Sequence, residues 1–502
     1  MVFTTLRFII FMGIVFCLYY TVPKKAQWKL LLVASYVFYA CASPLYVLFL
    51  VFTTGITFAG SRLIEKYRKR GKSILIGIAV ILLGMVVVFK YASFLIKNVS
   101  ALLGVFGCQV TSPTLRLILP LGLSFYVFQS LGYCIDVYRE MVAAEKNFFR
   151  HALYVSYFPQ LLQGPIGDYA QLSPQLFEEH SFSYKNAVFG LQRAAWGFFK
   201  KLVIANQISL VIDSVWTADT AYSGLLFWIF VLCLYSIQLY ADFSGYMDIA
   251  LGCSQMFGIT LAENFETPYF SKSIAEFWRR WHITLGAWFK NYVFYPLLRS
   301  KSLSALRKKW RKTHPYLANT LPNVTALFIV WLLIGLWHGA DWSYVVYGLF
   351  HGAFIIASVV FAPLYAAFNK RFPALETNRL YSLFRIVRTF LIVTFGYVIF
   401  RPANLRLTHA ILQQMFSGLG ISSLLHFGSP NFKELSAAFI GFIVLFCMDM
   451  YHIKPRTKSL REVISKQAVP VRWCIYLLFV CSILILGVYG KSELNQFAYF
   501  RF

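Results

Sequence analysis

The chain has 502 residues, of which 59% are hydrophobic and only 13% are charged. That composition is too apolar for a soluble globular protein and predicts an integral membrane protein. A formal net charge of +27 would favour nucleic-acid binding in a soluble chain. Here the basic residues collect in short connections between apolar segments, as the positive-inside rule describes, and no nucleic-acid partner is expected.

Apolar windows long enough to span a membrane recur along the whole chain. They predict an all-α polytopic protein with about eleven transmembrane helices, with re-entrant and interfacial helices in addition, forming a single domain over residues 1–502. The windows lie near residues 8–22, 28–54, 74–95, 115–135, 186–213, 223–241, 323–338, 343–365, 383–400, 435–450 and 473–489. Only Arg7 precedes the first apolar window and no small-residue cleavage site follows it, so a retained first helix is expected rather than a signal peptide.

The connections rich in Lys and Arg are predicted to be cytoplasmic. They are Arg62–Lys72, Arg299–Lys312, Lys370–Arg388 and Lys454–Arg472. This topology places the N-terminus inside and both the Pro402–Phe432 connection and the C-terminal tail outside.

Nine cysteines lie mostly within apolar windows, and none forms a Cys-x-x-Cys pair. They are predicted to be small buried hydrophobic residues, with neither a disulfide framework nor a metal site indicated. The chain has no P-loop, no dinucleotide-binding glycine motif, no His-Glu-x-x-His and no Gly-x-Ser-x-Gly. Nucleotide hydrolysis, dinucleotide redox chemistry, zinc proteolysis and serine hydrolysis are therefore not favoured.

Four blocks interrupt the apolar pattern. The first is Tyr157-Phe-Pro-Gln-Leu-Leu-Gln-Gly-Pro-Ile166. Two prolines and a glycine in an apolar setting argue against a plain spanning helix and favour a re-entrant or protein-buried loop. An ordinary interhelical turn is the alternative.

The second block, Gln238-Leu-Tyr-Ala-Asp-Phe-Ser-Gly-Tyr-Met-Asp248, places two carboxylates and an amide in or beside an apolar segment. If it is helical, Gln238 and Asp242 share one face and Ser244 and Asp248 share another, so the two acids point apart. Two separate polar contacts are predicted. These groups either serve function or join neighbouring helices by hydrogen bonds.

The third block, Ser273 to Pro296, carries an apolar and aromatic stripe at helical spacing. The stripe consists of Ile274, Phe277, Trp278, Trp281, Leu285, Trp288 and Phe289. Arg279, Arg280 and Lys290 lie off the stripe, which predicts one interfacial amphipathic helix with cations toward phosphate or cytosol. His282 falls at the edge of the stripe, where it could face a cavity between lipid and water, or be a plain interface residue.

The fourth block places His338 near the end of the apolar tract Ala326–Ala340. An imidazole is costly to bury in hydrocarbon without a polar partner, so His338 is a functional-site hypothesis, with a satisfied core histidine as the alternative. Gly335 and Gly339 flank it and would let another helix or a substrate chain approach its backbone. His351 would project away from His338 and is interpreted as a packing or hydrogen-bonding residue.

A neutral imidazole in a dry site is suited to act as a general base. A lone base with no serine or cysteine motif suits deprotonation of an acceptor hydroxyl while it attacks an activated carbonyl, as in direct acyl transfer from a thioester. A proton-coupled transporter also uses intramembrane histidine and acids, so the residue pattern leaves both classes open.

The blocks, in this order, resemble the membrane-bound O-acyltransferase family, in its bacterial alginate O-acetyltransferase and D-alanyl-transfer branch. The resemblance extends over a core of about residues 150–365. It rests on Phe158–Ile166, Asp242–Asp248, Asn264-Phe-Glu-Thr-Pro-Tyr269, Ser273-Ile-Ala-Glu-Phe-Trp-Arg-Arg-Trp-His-Ile-Thr-Leu285, Asn291-Tyr-Val-Phe-Tyr-Pro296 and Gly335-Leu-Trp-His-Gly339. After Pro296, Leu297–Lys301 stands where the alginate branch has a Gly-Gly turn.

The resemblance implies tilted helices around a central tunnel, with His338 as general base or positioner of the acceptor hydroxyl and His282 binding or orienting the acyl donor on the cytoplasmic side. It implies no permanently bound cofactor; the donor would be acetyl-CoA or an acyl-carrier thioester. Further candidate substrate-binding residues are Trp337, Asp242, Ser244, Asp248, Gln160, Arg279 and Arg280.

The sequence thus predicts a multi-pass O-acyltransferase of the bacterial cell membrane that moves an acetyl or similar small acyl group to a hydroxyl of an extracytoplasmic polysaccharide or envelope polymer. Membrane lipid and an extracytoplasmic acyltransferase or a cytoplasmic carrier protein are the expected further partners. The alternatives are D-alanyl transfer from a carrier protein to teichoic acid, a proton-coupled transporter or flippase using Asp242, Asp248 and His338, and a structural subunit docking through the tail Lys491–Phe502.

Overall fold

The computed structural model describes residues 1–107, 120–216, 222–428, 430–453 and 459–489. The chain divides into two compact units, which are Met1–Phe198 with Tyr246–Ala262, and Phe199–Gly245 with Glu263–Phe502. The single domain, the membrane orientation and the central tunnel remain predictions. The tail Lys491–Phe502 and Cys108 lie outside the described residues.

Nine helices within the described ranges are long and apolar enough to cross a membrane. They are Pro44–Lys66, Arg68–Val105, Tyr184–Val215, Leu225–Met256, Pro315–His338, Trp342–Val360, Arg379–Phe400, Phe432–Ile453 and Val469–Leu486. The other two predicted windows form the helices Leu6–Thr21 and Leu123–Tyr138, which have only 16 residues each. The all-α, multi-pass fold is confirmed, while the exact number of spans stays open.

The first unit is built mainly from the N-terminal helices, with α3 packed on α4, α6 and α7. Its helices are α1 (Leu6–Thr21), α2 (Gln27–Ala40), α3 (Pro44–Lys66), α4 (Gly71–Val86), α5 (Ala92–Val105), α6 (Leu123–Tyr138), α7 (Phe148–Ser156), α8 (Phe158–Leu161), α9 (Tyr169–Phe177) and α10 (Tyr184–Phe199). The first block, residues 157–166, lies in this unit, and all of its residues are buried. The prediction of a protein-buried irregular segment is confirmed, with the short α8 inside it.

The second unit contains most of the remaining helices, and α12 contributes residues to both units. They are α11 (Asn206–Ile212), α12 (Leu225–Met256), α13 (Ile274–Arg280), α14 (Ile283–Phe289), α15 (Tyr295–Leu298), α16 (Lys301–Trp310), α17 (Pro315–His338), α18 (Trp342–Val360), α19 (Ala362–Arg371), α20 (Pro373–Thr377), α21 (Arg379–Phe400), α22 (Leu405–Met415), α23 (Ile421–Gly428), α24 (Phe432–Ile453), α25 (Leu460–Ser465) and α26 (Val469–Leu486). Wider π-helical turns occupy Val87–Tyr91, Lys200–Ala205 and Lys290–Phe294.

The expectation of one continuous interfacial helix over Ser273–Pro296 is wrong. The chain leaves the helix after α13, since Trp281 is extended and forms an antiparallel bridge with Phe265. His282 then takes a left-handed conformation, with φ of 48°, and α14 begins at Ile283. The aromatic stripe is therefore divided between two short helices, and His282 is 2% exposed rather than facing a lipid–water cavity.

The hairpin of α17 and α18 is held by close backbone contact. A Cβ added at Gly335 would lie 2.6 Å from the carbonyl oxygen of Tyr344, and one added at Gly339 would overlap the Tyr344 ring. The space that these glycines leave is thus occupied by α18. The sequence predicted that another helix or a substrate chain would approach the backbone here, and the structure shows another helix.

The prediction that the cysteines are mostly buried is wrong for the described ones. Cys134 and Cys253 are buried and Cys233 is half-buried. The exposed ones are Cys17, Cys41, Cys447, Cys474 and Cys481. Burial in protein is not needed on the outer faces of apolar helices in a membrane, because lipid there is as apolar as a protein core.

Candidate active site

His338 is the last residue of α17, and aromatic rings from three helices surround it. Its imidazole centroid lies 5.0 Å from Trp337, 5.9 Å from Tyr347 on α18 and 5.4 Å from Phe400 on α21. The side chain is buried, with the residue only 5% exposed. Because three helices contribute to this enclosure, the position of the imidazole depends on how α17, α18 and α21 pack.

His282 is held at the break between α13 and α14. Its Nδ1 lies 3.4 Å from Oδ1 of Asn264, and the same oxygen accepts hydrogen bonds from the backbone N–H and the Oγ1 hydroxyl of Thr284, both at 3.0 Å. On another side its imidazole meets the Phe243 ring edge-on at 4.8 Å. Asn264 therefore connects the histidine to the first turn of α14.

Trp337 brings the two predicted catalytic histidines together. Its indole lies 5.6 Å from the His282 ring and 5.0 Å from the His338 ring. The residues are 55 to 56 positions apart in sequence, between 282 and 337–338. Both imidazoles thus contact one buried indole.

Burial determines the charge of His282. Desolvation within the protein lowers the pKa of His282 from 6.5 to about 3. The imidazole is therefore neutral at pH 7 and can hydrogen-bond without carrying charge. Because Asn264 Oδ1 can only accept, Nδ1 carries the single proton of the neutral ring and Nε2 is a hydrogen-bond acceptor.

Asp242 and Ser244 lie in the second unit, each bound to a lysine. Lys201 Nζ lies 2.6 Å from Asp242 Oδ1, and Lys200 Nζ donates to Ser244 Oγ at 2.8 Å. Sequence reasoning missed both lysines, although two adjacent lysines inside the apolar window 186–213 were a visible signal. Intramembrane charges of this kind are rare and are usually paired.

Asp248 and Gln160 belong to the first unit. Asp248 accepts from the Arg193 guanidinium at 3.0 Å, and Gln160 donates through Nε2 to Gln129 Oε1 at 3.1 Å. The prediction that Asp242 and Asp248 make two separate polar contacts is confirmed, because each acid has its own cationic partner. Their roles in substrate binding stay predictions.

The two arginines of the third block differ in their surroundings. Arg280 pairs with Glu276 at 2.8 Å and donates to Thr267 Oγ1 at 3.2 Å, whereas Arg279 is exposed. Arg280 thus joins α13 to the preceding turn, and Arg279 is open to a ligand. A substrate-binding role for either one remains a prediction.

His351 is fully buried on α18, 4.7 Å from Tyr347 and 5.1 Å from Trp278, as expected of a packing residue. Among the described residues, no group of three or more His, Cys, Asp or Glu side chains is placed to hold a metal ion.

Residues 143–401 match the model of the membrane-bound O-acyltransferase family. Over the full length of both chains, the protein is 33% identical to a probable alginate O-acetylase of Pseudomonas putida. It is 32% identical to a peptidoglycan O-acetyltransferase of Helicobacter pylori over 66% of this chain and 63% of that protein. It is also 30% identical to a teichoic acid D-alanyltransferase of Bacillus subtilis, over 58% of this chain and 71% of that one.

Proposed function

Because the chain belongs to the membrane-bound O-acyltransferase family, we propose that this multi-pass membrane acyltransferase moves an acetyl or similar small acyl group from a cytoplasmic thioester to a hydroxyl of an extracytoplasmic envelope polysaccharide. Two similar proteins are named for O-acetylation of alginate and of peptidoglycan. The observation that carries the residue assignment is the convergence of His282 and His338 on Trp337. The bacterial cell membrane is the proposed location.

His338 is the proposed general base. A ring nitrogen of His338 takes the proton of the acceptor hydroxyl as its oxygen attacks the thioester carbonyl. The tetrahedral intermediate then collapses, the C–S bond breaks, and the thiolate receives the proton from the imidazolium. No nucleophile of the protein is needed, and aromatic enclosure by Trp337, Tyr347 and Phe400 would keep water from the activated acyl group.

His282 is the proposed orienting group for the donor. At pH 7 the neutral ring, whose pKa is about 3, donates through Nδ1–H to Asn264 Oδ1, so Nε2 can accept a hydrogen bond from an N–H or O–H group of the bound donor and orient it. Its fixed direction is supported by the contacts to Asn264 and Phe243. Acetyl-CoA and an acyl-carrier thioester are both donors of this chemical class.

Transport by a proton relay is less well supported. Asp242 and Asp248, the acids that such a relay would use, lie 2.6 Å from Lys201 and 3.0 Å from Arg193. Each acid is thus bound to a cation from another helix, and this helix-to-helix contact gives both acids a structural role.

D-alanyl transfer is the second candidate. The exposed cations of α16, which include Arg307, Lys308 and Lys309, support it, because an acidic carrier protein would find complementary charge there. Purified protein given acetyl-CoA or a D-alanyl carrier protein in parallel, with product formation followed by mass spectrometry, decides between the two donors.

The role of His338 is tested by His338→Ala in cells whose envelope polymer is analysed for ester-linked acyl groups. Loss of a general base should lower acylation about 10²–10⁴-fold at normal protein level. His409→Ala, which removes an exposed histidine of α22, is the matched control and should acylate normally. Normal acylation in the His338→Ala strain would refute the assigned role.

A further inference from the structure

Two adjacent lysines are buried inside a helix that spans the membrane. Lys200 and Lys201 begin the π-helical turn Lys200–Ala205, within the span Tyr184–Val215, and are 4% and 3% exposed. Burying an ammonium group costs several kcal/mol before any partner is counted. Wider turns of this kind are frequent at functional sites. Neither lysine is explained by the transfer chemistry described above.

Both lysines reach the same short stretch of α12. Lys201 Nζ pairs with Asp242 at 2.6 Å, and Lys200 Nζ donates to Ser244 Oγ at 2.8 Å. The Ser244 hydroxyl in turn donates to the carbonyl of Tyr240 at 2.6 Å. The two contacts fix α12 at residues 242 and 244, which flank residue 243 in the sequence.

The residue between them is Phe243, which is fully buried. Its ring meets the imidazole of His282 at 4.8 Å with an interplanar angle of 88°, and meets Phe265 at 4.9 Å. A shift of α12 at this point would therefore be transmitted directly to His282.

His282 requires such support because its backbone is in the left-handed region, with φ of 48°. A non-glycine residue there costs about 1–3 kcal/mol and persists only when its surroundings hold it. Asn264 holds the imidazole on one side through Nδ1. Phe243 is the aromatic support on another.

We propose that Lys200 and Lys201 are positioning residues that fix α12 through Ser244 and Asp242, so that Phe243 holds His282 in its donor-orienting position. This inference rests on the proposed role of His282 in acyl transfer. The lysines do not touch the reacting atoms, and the paired charges serve geometry rather than proton transfer.

The test separates positioning from stability by neutralising the pair in two steps. Lys201→Met alone removes the ammonium group that lies 2.6 Å from the buried Asp242 carboxylate and should lower the melting temperature. Adding Asp242→Asn removes that carboxylate charge, so the double variant should recover the melting temperature. It should not recover kcat/KM for the thioester donor. We expect this constant to be reduced about 10–100-fold, because the ion pair that fixed α12 beside Phe243 is absent. The KM for the acceptor should be unchanged.

Labelling with diethyl pyrocarbonate supplies a readout that needs no catalysis. His282 should be protected in the unmodified protein and labelled several-fold faster in the double variant, while the exposed His409 reacts equally in both. Lys185→Met, the same substitution at an exposed position of the same span, is the control. Absence of acyl transfer by the unmodified protein would refute the proposed function. The labelling of His282 would still test whether the lysines position this histidine.

Full recovery of both stability and donor kcat/KM in the double variant would overturn the inference, since the ion pair would then be structural only. Phe243→Leu keeps an apolar side chain and the lysine contacts but removes the ring, so it covers the case in which the lysine variants fail to fold. Unchanged donor kcat/KM together with unchanged His282 labelling in Phe243→Leu would also overturn it.

Discussion

Gly348→Ala gives the sharpest test of how α17 and α18 position His338. A Cβ at Gly348 would lie 2.5 Å from the carbonyl oxygen of Trp331 and 2.8 Å from Cα of Gly335. Close carbon–oxygen contacts in proteins begin at about 3.3 Å, so the helices would have to separate by roughly 0.8 Å. Both atoms are backbone and cannot swing aside, so relief of the clash has to come from helix movement.

The expected cost combines two opposing effects. Overpacking of this kind costs about 1–3 kcal/mol, and the helical preference of alanine over glycine returns about 0.5–1 kcal/mol. A net loss of about 0–2.5 kcal/mol follows, measured as a lower melting temperature in detergent, and the loss relative to an unhindered glycine-to-alanine substitution is about 1–3 kcal/mol. Because the neighbouring Tyr347 contacts His338, a movement of this size should also slow acyl transfer about tenfold or more.

The chain offers controls for the same substitution. Gly55 in α3 and Gly84 in α4 have nothing within 4 Å of an added Cβ. Alanine at either position should leave the melting temperature unchanged or raise it, with normal transfer. If Gly348→Ala melted and reacted like these two variants, the close helix contact would be refuted.

The burial of His282 should make the stability of the protein depend on pH. In the unfolded chain this histidine binds a proton below about pH 6.5, whereas in the folded protein it does so only near pH 3. Between these two values the free energy of unfolding therefore falls as the pH falls. At pH 5 this amounts to about 2 kcal/mol. His282→Gln should therefore lose less stability between pH 7 and pH 5 than the unmodified protein, and equal losses would contradict the burial argument. Asn264→Ala removes the acceptor of the buried Thr284 N–H and should cost about 1–3 kcal/mol with slower transfer. Asn323→Ala, which loses only a hydrogen bond within its own helix, is its control, and equal melting temperatures would count against the bridging role of Asn264.

Hydropathy and helical spacing predicted much of this molecule. Apolar windows overlapped all nine described spans, although the window 28–54 combined two helices, Gln27–Ala40 and Pro44–Lys66. A period of 3.6 residues correctly separated Asp242 from Asp248. The cost of burying an imidazole in hydrocarbon was enough to identify His338 as a candidate functional residue. Each of these inferences uses only residues that are close in sequence, which is the information that a single chain displays.

Contacts between distant residues could not be predicted in the same way. Helical spacing continues smoothly through Trp281, and only pairing with Phe265 breaks it. Likewise the cation that pairs with Asp242 is Lys201, from a different helix. The mean hydropathy of an apolar window also does not reveal two lysines, because their many apolar neighbours keep the mean high.

Regular helices end or widen at each point where the candidate site is built. His282 lies at a left-handed break, His338 ends α17, and the lysines begin a π-helical turn. A continuous helix through residue 282 would keep its backbone polar groups paired internally, but it would lose the extended Trp281 that bridges to Phe265. Irregular backbone of this kind is stable in a membrane only where protein surrounds it. The aromatic enclosure around Trp337 thus supports the irregular segment as well as the proposed chemistry, so substitutions there should affect folding and rate together.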